Sequence, residues 1–233
     1  MSTRSQIIEV TAKLLADSPT GEVSTRAVCE AAGVQQPVLY RHFGDKDGLL
    51  AATVDHVWQQ YLDMKRAAEP SDDPLDDLIA GWRRHVDFAL EHPHAYRLVF
   101  ASSLKTAPEA AEEAMRLLRQ VLDRLAAQGR LRMPPVDAAQ LVLAANSGVC
   151  LSLLLRPGAY PDRAIAELMR ETVFQIIVTD AATPPSGSDA AAVAATTLRS
   201  ALAPATGDVA PAPEFSPAEA ALLDEWLERI QHP

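Results

Sequence analysis

The sequence predicts an all-α protein, and three features of its 233 residues favour that fold. Apolar residues recur at helical spacing through most of residues 4–179. Proline and glycine divide this stretch into pieces of helix length. No piece alternates convincingly with the period of two that strands require, although residues 174–178 are locally rich in β-forming side chains. We assign 174–178 to a helix because it continues a long apolar repeat.

Length and composition predict a cytoplasmic protein with no cofactor and no metal. The chain has a mass of 25.1 kDa, enough for one large or two small domains, and 48% of its residues are hydrophobic. We expect no bilayer-spanning segment, and residues 1–10 lack the basic and apolar parts of a signal peptide. Cys29 and Cys150 lie far apart in apolar helical patterns, which favours two buried thiols over a disulfide.

The signals for the starts and ends of helices are clearest near the N-terminus. After a first helix at about 4–17, Ser24 is a suitable N-cap for a short helix that ends at residue 31 or 32. Gly33 can turn the chain, and residues 35–43 suit a second short helix. Gly44 ends that helix, and Asp45 can cap the next one. Two short helices joined by a tight turn with glycine form the helix-turn-helix arrangement that reads DNA.

The rest of the chain divides into a helical body, a linker and a terminal helix. A long helix runs from about 45 to 68, and the later body helices cover about 74–92, 94–104, 108–129, 137–155 and 161–179. Residues 181–215 are rich in Ala and Pro and predict a flexible linker, with a marginal helix allowed at 190–201. Ser216 and Glu219 form a capping box that starts an amphipathic helix over 216–231. We expect this helix to dock on the body or on a partner subunit; a separate protein partner is less favoured.

Three short strings place the N-terminal segment in a known group. Ala32-Gly33-Val34, Leu39-Tyr40-Arg41-His42-Phe43 and Lys46-Asp47-Gly48-Leu49-Leu50 resemble the TetR/AcrR-type (tetracycline-repressor) family of bacterial regulators. The resemblance runs from about residue 7 to residue 50. It implies a DNA-binding domain over 1–50 and a helical ligand-binding and dimerisation domain over 51–180. It further implies a homodimer on a palindromic operator, most simply a repressor, that a small and largely apolar effector releases.

The resemblance also implies which side chains contact DNA. In this family the second short helix enters the major groove, and its first turn faces the bases. The implied base-facing residues are Gln35, Gln36, Pro37 and Val38. The implied phosphate contacts are Thr25, Arg26, Tyr40, His42 and Lys46. Gln36 suits a bidentate pair with adenine and Val38 suits a thymine methyl group. The alternatives are that Gln36 is only solvated, that Tyr40 is a surface aromatic and that His42 packs or caps.

The charge distribution does not oppose a DNA-binding role. The chain carries a net charge of −10, but residues 1–50 hold five Lys or Arg against six Asp or Glu, a net −1. The acidity therefore belongs to the body and the tail. Arg4 is the one basic residue before the first helix, so we expect only a weak basic arm. Phosphate recognition depends on local cations and on helix N-termini rather than on the global sum.

Effector binding and dimerisation are expected in the body. The resemblance implies a pocket lined by aromatic and a few polar side chains, for which the candidates are Trp58, Tyr61, Trp82, His85, Phe88, Tyr96, Phe100, Met115, Asn146 and Cys150. Taken singly, most of these also suit a core, and Asn146 needs a partner that a backbone carbonyl or the other subunit supplies equally well. The apolar helices at 137–155 and 161–179, the first rich in small residues, are the predicted dimer interface. The alternative is that they are central core helices.

Two other classes of protein are less consistent with the sequence. His92 with His94, or the acidic residues at 72–77, suggest a metal or cation site and hence an enzyme, but Pro93 breaks the helix between the histidines. No Ser-His-Asp spacing, glycine-rich phosphate loop or cysteine cluster is present. An enzyme is therefore disfavoured. The remaining alternative is a helical interaction protein whose DNA-binding head is degenerate.

Overall fold

The prediction of an all-α protein is confirmed. The structure, a computed structural model, describes residues 2–100, 109–179, 188–202 and 215–231. These form helices α1 Thr3–Asp17, α2 Thr25–Ala32, α3 Gln36–Phe43, α4 Lys46–Ala67, α5 Pro74–Glu91, α6 Pro93–Phe100, α7 Glu109–Ala127, α8 Pro135–Leu155, α9 Ala164–Ile177, α10 Ser188–Leu202 and α11 Pro217–Gln231. The predicted helix end at 104, the predicted helix start at 108 and the linker residues 181–187 and 203–214 lie outside the described residues.

Local signals set the boundaries of α2, α3 and α4. The Ser24 hydroxyl accepts a hydrogen bond from the Ala27 N–H at 3.1 Å and caps α2. Gly33 ends α2 in the left-handed region, with φ 65° and ψ 32°, where a residue with a Cβ is strained. The Asp45 carboxylate accepts from the Gly48 N–H at 2.7 Å and caps α4. These caps and the turn are the ones that the sequence predicts.

The first four helices share a small apolar core. Its fully buried members include Ile7 and Leu15 from α1, Val28 from α2, Leu39 from α3 and Leu49 from α4. The Cys29 thiol is buried in the same cluster, Cys150 is also buried, and neither forms a disulfide, as the sequence predicts. Each short helix therefore has one face fixed to this core, which leaves the opposite face to solvent.

Gly48 allows α4 to start directly beneath α3. A Cβ at Gly48 would lie 2.1 Å from the Phe43 carbonyl oxygen, a backbone atom that cannot move aside cheaply. We expect Gly48→Ala to lower the free energy of unfolding by about 1–3 kcal/mol, because the corner between the two helices must shift. Urea titration measures the effect. Gly81→Ala in α5 is the matched control, since no atom lies within 4 Å of its added methyl group. Equal losses in the two variants would contradict this explanation.

The described helices fall into two compact units. The first unit comprises residues within 1–69, 83–117 and 147–163, and the second comprises residues within 70–82, 118–146 and 164–233. In the second unit α9 ends at Ile177, and an isolated antiparallel bridge pairs Val178 with Leu131. The local β preference of 174–178 is thus expressed in a single bridge after the helix.

The acidic residues around the start of α5 are engaged with arginines in the second unit. Asp73 accepts from Arg130 at 2.6 Å and also from the Leu75 N–H, and the hydrogen bond from Arg130 is the main reason that the pKa of Asp73 is lowered. Asp77 accepts from Arg124 at 2.6 Å. Burial alone would raise the pKa of Asp77, but Arg124 and Ser71 lower it overall. These carboxylates therefore stabilise the fold, and no cluster of metal-ligating side chains occurs in the described parts of the chain.

The C-terminal helices pack against each other in the second unit. The predicted capping box is present: the Ser216 N–H donates to Glu219 at 2.8 Å and the Glu219 N–H donates to the Ser216 hydroxyl at 3.3 Å. Arg199 of α10 donates to Asp224 of α11, and Gln231 donates to Thr196. Helix α10 thus occupies part of the predicted linker. One face of α11 stays exposed, namely Leu222, Trp226 and Ile230.

The expectation that no segment is apolar enough to cross a bilayer is wrong for helix α8. It has 21 residues and a mean hydropathy of 1.8 over its most apolar window, and it is the single helix of this kind among the described residues. Nearly half of that window, 44%, is buried in the protein, and core helices of soluble proteins pass the same test. Its length and composition are therefore weak evidence that α8 spans a membrane.

Candidate nucleic-acid interface and aromatic interior

Helix α3 buries one residue and presents the others to solvent. Leu39 is fully buried in the core of the first four helices, whereas Gln36 and Tyr40 lie one turn apart on the exposed side. None of the nine predicted DNA contacts is buried. Those that are exposed are Arg26, Gln35, Gln36, Pro37, Tyr40 and Lys46, and those that are half-buried are Thr25, Val38 and His42. The predicted set therefore remains available to a ligand.

The N-terminus of α3 differs from those of its neighbours. Helices α2 and α4 have side-chain caps, whereas Gln35, the N-cap of α3, makes no side-chain cap hydrogen bond. Pro37 in the first turn has no N–H to satisfy. An uncapped helix N-terminus carries partial positive charge and attracts phosphate oxygens. Arg41 and His42 add basic groups at the other end of α3.

Two arginines near these helices are only weakly engaged. Arg26 donates to Glu30 at 3.0 Å in an exposed pair within α2. Such surface pairs contribute about 0–1 kcal/mol, so the guanidinium can exchange this partner for a phosphate at little cost. The Arg4 guanidinium lies 5.4 Å from the centre of the Phe43 ring, at the end of α3. The expectation that Arg4 forms a basic arm before the first helix is wrong, because Arg4 lies within α1, where its guanidinium is beside the helix predicted to read DNA.

A cluster of aromatic rings forms the interior of the first unit. Trp58 and Tyr61 from α4 meet Phe88 from α5, with ring centres 4.8 Å and 4.6 Å away from Phe88. Tyr96 from α6 stacks on Trp58 at 6.0 Å, and Phe100 lies 4.6 Å from Tyr96. Five of the ten predicted effector contacts are thus in mutual contact. Their faces and edges pack against one another and form an apolar interior.

His85 links the polar groups of this aromatic cluster. Its Nε2 lies 2.8 Å from the Tyr96 hydroxyl, and its Nδ1 lies 3.5 Å from the Tyr61 hydroxyl. Burial, with a smaller effect of the nearby Lys65 charge, lowers the pKa of His85 to about 3. The imidazole is therefore neutral at physiological pH, and one ring nitrogen donates while the other accepts.

The other four predicted effector contacts are placed differently. The Cys150 thiol hydrogen bonds with the Tyr96 hydroxyl, and burial raises the pKa of Cys150 to about 11, so the thiol is not reactive. Met115 is half-buried in the first unit. Trp82 and Asn146 lie in the second unit, where Trp82 donates to the Ala166 carbonyl at 3.1 Å and Asn146 donates to the Trp82 carbonyl at 3.3 Å. A backbone carbonyl is thus one partner that Asn146 has.

Stability should fall in acid because His85 is neutral in the folded protein. Below about pH 6.5 the unfolded chain binds a proton at this position and the folded chain does not. The contribution of His85 to the free energy of unfolding is therefore fully present above about pH 6.5. It declines as the pH falls toward the pKa of His85 in the folded protein, about 3. Between about pH 6.5 and pH 5 we expect a loss of about 2 kcal/mol.

The measurement is urea unfolding at several pH values, for the natural chain and for His85→Gln. Glutamine keeps one donor and one acceptor but does not titrate in this range. The difference in slope between the two proteins isolates His85 from the other histidines. Parallel pH profiles would contradict a neutral buried imidazole.

Sequence reasoning missed two residues beside the aromatic cluster. Lys65 lies on the face of α4 that carries Trp58 and Tyr61, and its ammonium sits 5.5 Å from the centre of the Tyr61 ring. Burial, assisted by the Arg84 charge, lowers the pKa of Lys65 to about 8. Ser147 is buried near Tyr96. The i+7 spacing from Trp58 to Lys65 indicates that the two residues share a face of α4. No sequence pattern marks Ser147.

His92 and His94, which the sequence suggested as a possible metal pair, pack against other residues of the protein. The His92 ring lies 5.0 Å from the Phe88 ring. His94 packs against Gly21, where its Nδ1 would lie 2.5 Å from an added Cβ. Neither position forms part of a metal cluster within the described residues.

Two family profiles match the chain and together cover most of it. The profile described as "Bacterial regulatory proteins, tetR family" matches residues 7–53. The profile described as "Tetracyclin repressor-like, C-terminal domain" matches residues 78–203, more than half of the chain. The first match contains α2 and α3, and the second runs from α5 to the end of α10. Helix α11 lies beyond both.

The individual relatives are distant, and several of them are described as transcription regulators. The transcriptional activator FasR of Mycolicibacterium smegmatis is 27% identical over 111 residues, which is 47% of this chain and about half (51%) of the relative. The transcriptional regulator BetI of Burkholderia mallei is 26% identical over 174 residues, covering 61% of this chain and 89% of the relative. Among solved structures, NalD of Pseudomonas aeruginosa, a repressor of a multidrug efflux pump, superposes with a TM-score of 0.54 and 21% identity over 76% of this chain and 98% of that chain. That structural likeness shows the fold.

Proposed function

Since the chain belongs to the tetR family of bacterial transcription regulators, and is a DNA-binding regulator rather than an enzyme, we propose that it binds a palindromic operator as a homodimer and is released by a small effector. The observation that carries this proposal is the geometry of α3. Leu39 anchors that helix in the core while Gln36 and Tyr40 face solvent at an uncapped N-terminal end. A helix held in this way can enter the major groove without unfolding.

The contact roles within α3 follow from position and chemistry. Gln36 in the first turn offers both a donor and an acceptor, as a bidentate contact with adenine requires. Tyr40, one turn later, offers a hydroxyl to a phosphate. Arg26 and Lys46 are exposed on the flanking helices and supply cations for the DNA backbone. The protein acts in the cytoplasm, where the chromosome of a bacterium lies.

Exposed apolar side chains on α8 and α9 support the dimer. In the isolated chain Leu168 and Ile176 of α9 are 59% and 51% exposed, and they lie two turns apart on one face. Ala144 and Gly148 of α8 are also exposed, and small residues at this spacing permit a close helix approach. Large apolar residues grouped on one face mark a surface that another protein covers. A second copy of this chain is the occupant that two-fold operator symmetry requires.

The effector acts by shifting an equilibrium between two states. A molecule that enters the aromatic interior and prefers the state with the wrong spacing of the two α3 helices weakens operator binding by the ratio of its affinities for the two states. Because a repressor is released in this way, effector binding turns transcription on. The relatives include both an activator, FasR, and a repressor, NalD, and we favour repression by resemblance to the family.

A second candidate is a helical interaction protein with a degenerate DNA-binding head. The observation that favours it is the net charge of −1 over residues 1–50, in which no basic residue precedes α1. Nonspecific binding by such a head is weak, because nonspecific affinity comes from cations that displace counterions. The two candidates therefore differ in sequence-specific DNA binding.

Selection of bound DNA from a random pool, with the purified full chain at moderate salt, tests the proposal. Enrichment of an inverted repeat supports the regulator described above. Recovery of no preferred sequence by a folded dimer, even at low salt, would favour the degenerate head instead. The salt concentration must be stated because affinity for DNA depends on it steeply.

A further inference from the structure

The aromatic interior of the first unit contains a hydrogen-bond donor, the Trp58 indole N–H, that lacks an acceptor among the described residues. The Trp58 indole N–H is 1% exposed, and no acceptor for it exists among the described residues. An indole N–H is a donor only, and leaving it unpaired in the interior costs about 1–3 kcal/mol. A bound acceptor would recover that free energy.

Lys65 adds an uncompensated positive charge to the same interior. Its ammonium lies over the Tyr61 ring, and no carboxylate forms an ion pair with it among the described residues. The charges that affect it are cationic, since Arg84 lowers the pKa of Lys65 and Lys65 in turn lowers the pKa of His85. A half-buried ammonium of this kind is costly unless an anion joins it.

The remaining polar groups of the interior do not supply the missing acceptors. His85 offers one acceptor nitrogen, and both of its ring nitrogens already face tyrosine hydroxyls. Tyr96 is also engaged with Cys150. Among the described residues, these groups therefore leave the Trp58 N–H without an acceptor and the Lys65 ammonium without an ion-pair partner.

We propose that this interior binds an aromatic or apolar acid, a carboxylate in the simplest case, for which Lys65 and Trp58 supply the missing partners. The inference rests on the proposed effector response and gives the chemical class of that effector. The rings of Tyr61, Phe88 and Phe100 contact its apolar part. Organic cations are excluded because the Lys65 ammonium already occupies the face of Tyr61 and repels a second cation.

Three probes of the same size test this class with the full chain. Naphthoate, naphthylmethanol and naphthyltrimethylammonium share one aromatic body and differ in the charge of the attached group. Isothermal titration calorimetry should find naphthoate bound at least about tenfold more tightly than the alcohol, as expected for one charge-assisted hydrogen bond, and the ammonium bound most weakly. Lys65→Gln should abolish the preference for naphthoate and leave binding of the alcohol nearly unchanged.

Matched variants separate charge recognition from damage to the fold. Lys65→Arg keeps the cation and should retain the preference for naphthoate. Lys13→Gln removes an exposed lysine of α1 and should change nothing. Trp58→Phe keeps an aromatic ring but removes the N–H, and should weaken naphthoate binding more than it weakens binding of the alcohol. Thermal unfolding identifies any variant that has failed to fold, and Lys65→Arg and Trp58→Phe then carry the test.

Three outcomes would overturn the inference. They are tightest binding of the ammonium probe, an equal preference for naphthoate in the natural chain and in Lys65→Gln, and no saturable binding of any probe at millimolar concentration. Operator binding without probe is measured on the same preparations. If the protein binds its operator but naphthoate is not the tightest-binding probe, the inference that the effector is an acid is wrong and the proposed function still stands. If operator binding is absent from a folded dimer, the proposed function fails independently.

Discussion

Leu168→Asp combined with Ile176→Asp is expected to convert the dimer to monomers and to lower operator affinity by at least about 100-fold. Both side chains lie on one exposed face of α9. In a two-fold interface each substitution occurs twice, so four carboxylates would have to be buried without partners. Each costs several kcal/mol, which exceeds what apolar contacts of this size contribute. A monomer then engages only one half-site.

Sedimentation velocity measures the mass of each variant, and fluorescence anisotropy measures its affinity for the selected operator. Met64→Asp is the matched control, because Met64 is 61% exposed on α4 and lies outside the proposed interface. It should leave the protein dimeric. If the double aspartate variant remains a dimer with unchanged operator affinity, α9 is not part of the dimer interface.

Gln36→Ala combined with Tyr40→Phe should abolish specific operator binding while the protein stays folded and dimeric. One bidentate base contact discriminates by about 1–3 kcal/mol, and each dimer carries two copies of α3. The combined loss is therefore at least about 100-fold in affinity. The fold survives because Leu39, and not these two residues, packs α3 against the core.

The two single variants differ in what they lose. Gln36→Ala should relax the preference at one position of each half-site, whereas Tyr40→Phe should weaken all sequences alike. Gln120→Ala removes an exposed glutamine from α7 and serves as the control. If selection with Gln36→Ala returned an unchanged sequence preference, Gln36 would not be a base-reading residue.

Features set by neighbours in the sequence were predictable. Ser24 and Asp45 cap their helices, Gly33 adopts the left-handed turn, and Ser216 and Glu219 form the capping box. Each depends on a hydrogen bond or a steric limit within a few residues.

Features set by distant packing were not predictable. Trp58 and Trp82 occur in similar apolar patterns, yet Trp58 joins the aromatic cluster and Trp82 hydrogen bonds to Ala166. Only the tertiary arrangement separates them. Lys65 was missed because a lysine is normally solvated, although its helical spacing from Trp58 and Tyr61 places it on their face of α4.

Helix α10 is a second feature that depends on packing between residues distant in the sequence. Its Ala-rich sequence has a weak apolar face and lies between segments rich in Pro and Gly, so composition favoured a linker. The partner that stabilises it is α11, through the contact of Arg199 with Asp224 and that of Thr196 with Gln231. Most helices of this length depend on such tertiary packing rather than on propensity.

Binding of the full chain to its selected operator, with the spacing between half-sites varied, tests the central claim most directly. Two chains bound as one dimer are expected per inverted repeat, with half-site centres about 34 Å apart or a multiple of that distance. Insertion of about half a helical turn between the half-sites should lower affinity by about 100-fold or more, because the second α3 then faces the wrong side of the duplex. Affinity that does not depend on the spacing, or one chain bound per half-site without its partner, would contradict a homodimeric operator-binding regulator.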